Sequence, residues 1–153
     1  MYTNVWYVAA RNSDLLDEPL YVQMLGSDFV LFRDNKGTPV CLNNVCPHRG
    51  ASLANGSLSK EGLIACPFHG WEFNGLGQCI RMPSIGNEDP KKAAPGVKID
   101  SYPTKEKHGL IWTFLGDDLE NANPIFDIPE MNDPSYTVLE HDVVFESNFH
   151  TAK

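Results

Sequence analysis

Cys46-Pro47-His48-Arg49-Gly50 and Cys66-Pro67-Phe68-His69-Gly70 are two loops written in nearly the same grammar, and their reading decides the fold. Each supplies one thiol and one imidazole. One residue separates Cys46 from His48, two separate Cys66 from His69, and seventeen (residues 49–65) lie between the two pairs. Such a mixed donor set suits either zinc or a sulfide-bridged pair of irons. Zinc fingers usually offer two cysteines and then two histidines, whereas here each loop gives one of each. That pattern favours a binuclear cluster, with both thiolates on one iron and both imidazoles on the other. A zinc-binding interaction module is the rival reading.

The neighbours of the four donors agree with tight loops. Pro47 and Pro67 fix φ directly after each cysteine and ask for no amide donor there. Gly50 and Gly70 follow the histidines, where a missing Cβ permits positive φ or a close backbone approach. Asn55-Gly56-Ser57 and Asn74-Gly75-Leu76-Gly77 are turn-forming, so residues 43–82 read as a small sheet carrying the loops at its tip.

Outward from that region the chain is a succession of short apolar runs broken by eleven prolines and twelve glycines, which predicts an all-β, loop-rich fold. Residues 5–8 start it, and Asn12-Ser13-Asp14 predicts the cap of a brief helix through Leu15 and Leu16. Residues 20–25, 29–32 and 38–42 read as hairpin-connected strands, with turns at 26–28 and 34–37. Residues 84–95 read as surface loop, 97–102 as a half-buried strand and 109–115 as a core strand. Beyond Gly116, acidic residues and Pro124, Pro129 and Pro134 read as a linker; residues 136–149 read as one extended strand with nothing to pair with. The expected division is 1–116 for the first domain and 117–153 for a linker and the first strand of a truncated second one.

At 153 residues and a net charge of −8, the chain would repel a phosphate backbone, so nucleic acid is excluded as a partner. No apolar run approaches the ~18 residues of a membrane span, and the N-terminus lacks a signal-peptide pattern; a cytoplasmic protein is expected. Four cysteines in that compartment are ligands or core thiols rather than disulfides.

The two loops resemble the signature of Rieske iron-sulfur domains, specifically those of Rieske non-haem iron ring-hydroxylating oxygenases (the terminal oxygenase alpha subunit). The likeness runs over about residues 5–116, including Trp6-Tyr7-Val8-Ala9 and Gly109-Leu110-Ile111-Trp112. It implies stacked antiparallel sheets with a small cluster-binding subdomain at 43–82, and a 2Fe-2S cluster with Cys46 and Cys66 on the inner iron and His48 and His69 on the outer. It further implies a low-potential one-electron carrier, about −150 mV. Trp71 and Phe73 stand where the Rieske proteins of cytochrome bc complexes place hydroxyls, and Ala51 and Phe68 stand where that branch has its disulfide cysteines. In the whole protein the resemblance implies O2-dependent hydroxylation or demethylation of an organic, aromatic substrate at a mononuclear Fe(II). It also implies a ferredoxin or flavin reductase as donor and a homotrimer. No catalytic residue is expected within these residues. A free-standing Rieske ferredoxin is the alternative.

Among the remaining residues, Cys41 and Cys79 are expected to be buried thiols, and Trp112 a core residue. Trp71 is read as a wall against water or as core packing, and Arg49 as a docking charge or a solvated one. His141 and His150 fall on opposite faces of the presumed strand and receive no metal role.

Overall fold

The structure, a computed structural model, describes residues 3–139, 141 and 143–147. It is almost entirely antiparallel β. The strands are β1 (Val5–Arg11), β2 (Leu20–Met24), β3 (Ser27–Arg33), β4 (Pro39–Asn43), β5 (Ser57–Leu58), β6 (Ile64–Ala65), β7 (Glu72–Phe73), β8 (Cys79–Arg81), β9 (Ser101–Tyr102), β10 (Thr104–Lys107) and β11 (Leu110–Leu115). They form three sheets, ordered β1-β11-β10, β2-β3-β4-β9 and β5-β6-β7-β8.

β3 and β4 are the spine, because side chains alternate across a strand and both faces here are covered. Val30, Phe32, Val40 and Leu42 enter one core with Cys46, Leu53, Ile64, Cys66 and Phe73. Phe29, Leu31 and Cys41 enter a second core with Leu15, Ile111 and Leu115. The first core fastens the small sheet β5-β6-β7-β8 to the larger one; full burial of a side chain such as Phe32 contributes roughly 1.5–3 kcal/mol. The second core holds the sheet in which β1 pairs with β11, Val5 opposite Leu115. That pairing brings residue 4 back to residue 117: the Asn4 Oδ1 accepts from the amides of Asp117 and Asp118 at 2.9 and 3.1 Å.

Local departures from the sequence reading have local causes. The β2–β3 turn sits at Leu25-Gly26, both with positive φ (53° and 79°), one step earlier than 26–28. Ser27 and Asp28 are strand residues instead, opposite Met24 and Gln23, and the Tyr21 hydroxyl donates to Asp28 at 2.7 Å. The expected helix through Leu15 and Leu16 is a single 3-10 turn, Asn12–Asp14, without a side-chain cap. Leu15 leaves it to fill the second core. Residues 84–95 are not plain loop: they include α1 (Pro90–Ala93), capped by Asp89, whose carboxylate accepts from the Lys91 amide at 3.0 Å. The predicted strand 97–102 keeps only Ser101–Tyr102, with Lys98 in an isolated bridge to Gln78.

After β11 the chain straps across the β10–β11 turn. Lys107 Nζ donates to the Ile125 carbonyl at 2.8 Å and pairs with Asp127 at 2.6 Å, and Phe126 stacks edge-on against Trp112 at 5.8 Å. The strand expected over 136–149 is not formed by its described residues. Leu139, Val144 and Phe145 are exposed there, and among the described residues no strand pairs with them. Among the described residues no helix is long and apolar enough to cross a membrane.

Candidate metal centre

The two loops close in the same way, as their matched sequences require. The Cys46 amide donates to the Ala51 carbonyl at 2.8 Å and the Gly50 amide returns to the Cys46 carbonyl at 2.9 Å. In the second loop the Cys66 amide donates to the Trp71 carbonyl at 2.8 Å and the Gly70 amide to the Cys66 carbonyl at 3.0 Å. Gly50 and Gly70 take φ of 72° and 67°, as such turns demand. The second loop is the tip of the β6–β7 hairpin, with Ala65 opposite Glu72. The first springs from the bridge between Val45 and Ser52.

The fold brings the four predicted donors together as two pairs. Cys46 and Cys66 lie in the core at 1% and 4% exposure, close enough for their thiols to hydrogen-bond. His48 and His69 stand outside them with ring centroids 4.6 Å apart. Among the described residues, no three His, Cys, Asp or Glu side chains converge as a single ion would require. A sulfur pair beside an imidazole pair is a donor set that fits two bridged irons.

The electrostatics suit metal ligands. Burial pushes the Cys46 thiol up to about 11, while the amides of His48 and Arg49 favour its thiolate and the neighbouring Cys66 opposes it. A cation must therefore drive off that proton on binding. Desolvation, then His69 and Arg49, hold His48 below its ordinary value, favouring the neutral imidazole that ligates iron.

Supporting residues missed in the sequence pin the loop bases. The buried Asn44 donates from Nδ2 to the Ser52 hydroxyl at 2.9 Å, and its Oδ1 accepts from the Ala54 amide at 2.8 Å. The signal was a polar pair, Asn43-Asn44, ending an apolar strand. Arg81 reaches the Glu72 carboxylate with both contacts at 2.9 Å across β7 and β8, a pairing that needs the register to be seen. Trp71 lies flat on His48, centroids 4.4 Å apart and planes 1° from parallel. It also packs against the first core, as the core reading expects.

Cys41 and Cys79 are buried as expected. Burial lifts them to about 12 and about 11, and the Cys79 thiol donates to the Arg81 carbonyl at 3.7 Å. A cavity of about 580 Å³ lies away from the donors, between Leu110 and Trp112 of β11 and Phe126, Ile128 and Leu139. His108 and His141 line it; the His108 ring nitrogen bonds the Phe126 carbonyl at 3.0 Å. His150 lies outside the described residues.

The sequence profile of the Rieske [2Fe-2S] domain matches residues 5–103. The chain belongs to the Rieske family. Its cofactor is accordingly a 2Fe-2S cluster, and its work is one-electron transfer. It is 37% identical over 139 residues to "Chlorophyllide a oxygenase, chloroplastic" of Chlamydomonas reinhardtii, covering 90% of this chain and 20% of that protein. It is also 37% identical over 134 residues to "Dicamba O-demethylase, oxygenase component" of Stenotrophomonas maltophilia, covering 87% of this chain and 38% of that one. The crystal structure of dicamba monooxygenase with non-heme iron and dicamba superimposes with a TM-score of 0.73, over 86% of this chain and 39% of that chain. The chain thus spans between a fifth and two fifths of the length of these relatives, which are oxygenases rather than free ferredoxins.

Proposed function

We propose that Cys46 and Cys66 hold the inner iron of the cluster and His48 and His69 the outer, and that the domain feeds electrons singly to an oxygenase reaction. The observation that carries this is the pairing itself: two buried sulfurs beneath two exposed imidazoles, at the tip of a sheet rigidly fixed to the core. When bound, the cluster supplies a reversible one-electron couple.

The residues around it define what that couple can do. Cys46 and Cys66 keep the inner side dry, and the exposed edges of His48 and His69 are where a donor or acceptor can approach. The rings of Trp71 and the fully buried Phe73 supply no hydroxyl to a sulfur, which favours a potential near the low end of the Rieske span, about −150 mV. Such a potential suits delivery to an oxygen-using iron.

In this reading residues 1–116 are the electron-transfer domain, and 117–153 lead by a linker into a catalytic domain that would hold mononuclear Fe(II). The whole protein hydroxylates or demethylates an organic, aromatic substrate with O2, takes electrons from a ferredoxin or flavin reductase, and assembles as a homotrimer. Similarity to oxygenases that demethylate dicamba or oxidise chlorophyllide a supports the reaction class. Four unpaired thiols suit the reducing cytoplasm.

The test is an anaerobic titration of the iron-loaded protein, followed by visible absorption and electron paramagnetic resonance. One electron per two irons, with a reduced-state signal of average g below the free-electron value, is expected. A colourless protein carrying zinc, or a reduced sample without that signal, would refute the proposal.

A further inference from the structure

We propose that Trp71 is a positioning residue that clamps the first loop to the second through the ring of His48. The proposal rests on the ligand assignment above and adds to it a residue that holds a ligand without touching the metal. Among the described residues, no backbone hydrogen bond crosses between residues 46–51 and 66–71; each loop closes on itself. The thiol pair and the imidazole pair span the gap, but these are the donors themselves. The ring contact between the loops that uses a non-donor is Trp71 on His48.

The two sides of this contact are unequal. Trp71 is anchored: its carbonyl accepts the Cys66 amide, its side chain packs on the first core, and β7 begins at the next residue. His48 is an exposed loop residue. Rotation about the bond to an imidazole is broad and two-fold, so an unsupported ring must give up that freedom when it ligates. An indole face 1° from parallel removes the freedom beforehand.

Among the described residues His69 has no stacked indole: its ring neighbours are His48 and Phe68, the latter tilted by 41° and 63% exposed. The structure therefore predicts asymmetry: the clamp at 71 matters for cluster retention and the ring at 68 does not.

The experiment compares the iron-loaded wild type with Trp71→Leu, Trp71→Phe and Phe68→Leu. Two quantities are read: the rate at which visible absorbance is lost to a chelator in air, and the g values of the reduced cluster. Trp71→Leu should lose its cluster about tenfold faster, the upper range of one aromatic pair, with shifted or broadened g values. Trp71→Phe should restore most of the lifetime, and Phe68→Leu should match the wild type. Unchanged rate and g values in Trp71→Leu would overturn the clamp, as would a Trp71→Phe no better than Trp71→Leu, or a Phe68→Leu equally damaged. Should Trp71→Leu not fold, Trp71→Phe decides: it must stay within about threefold of wild type, and a larger loss overturns the proposal. Absence of a Rieske signal in the wild type would instead sink the ligand assignment.

Discussion

Substituting Gly77 by alanine should uncouple the cluster-bearing sheet from the segment around Ile99 that packs on it. Gly77 sits in the β7–β8 turn at φ 74°, and a Cβ there would lie 1.9 Å from the Ile99 carbonyl oxygen. One backbone must retreat by about 1 Å, because real Cβ atoms do not approach closer than about 3.0 Å. That retreat breaks the bond from the Ile99 amide to the Gly77 carbonyl, 2.9 Å long, and leaves backbone groups poorly satisfied at a cost of roughly 1–3 kcal/mol. The left-handed conformation adds about 1–2 kcal/mol for any L side chain. The sum, about 2–5 kcal/mol, is a large share of a typical domain's stability of roughly 5–15 kcal/mol. Gly26→Ala is the control: its φ is 79° with nothing within 4 Å of the added methyl, so only the conformational part, about 1–2 kcal/mol, applies. Urea denaturation of both variants measures the difference. Equal destabilisation would refute the steric argument, since the backbone angle alone would then explain both.

Three further outcomes follow from the site and the cores. His69→Cys adds a thiolate's negative charge to the outer iron and should lower the midpoint potential by on the order of 100 mV, toward plant-type ferredoxins; an upward shift in anaerobic titration contradicts this. Cys41, raised by burial from 9.0 to about 12, contributes stability that is complete below about pH 9 and is lost as pH rises toward 12. Wild type should therefore lose roughly 2 kcal/mol relative to Cys41→Ala between about pH 8 and pH 10.5, read from denaturation midpoints, and parallel curves would contradict it. Cys79→Ala should keep full iron and sulfide, whereas Cys46→Ser and Cys66→Ser should lose the visible chromophore; iron and sulfide analysis decides, and a colourless Cys79→Ala would make that thiol a ligand.

Much of this centre was legible because its signals are local. A cysteine, a proline, a histidine and a glycine at fixed spacing dictate a tight loop, and two such loops with equal hydrogen bonding are what the structure contains. The burial of Cys41 followed from its place between Val40 and Leu42, and the strands β2 to β4 followed from short apolar runs separated by turn residues. What escaped depends on partners distant in sequence. The shortened β9 is set by which residues of β4 remain free to pair, Cys41 with Tyr102 and Leu42 with Ser101. Likewise the Asn44–Ser52 pin, the Glu72–Arg81 pair and the stacking of Trp71 on His48 require knowing which loops face each other. Residues 136–149 read as a strand by composition, but among the described residues no strand faces them, and extended propensity alone makes no sheet.

A Mössbauer spectrum of the oxidised, iron-loaded protein addresses the ligand set itself. Two iron environments in equal amount are predicted, one typical of all-sulfur coordination and one shifted by nitrogen donors. A single environment shared by both irons, or a lone mononuclear site, would contradict the division of cysteines and histidines between two metals.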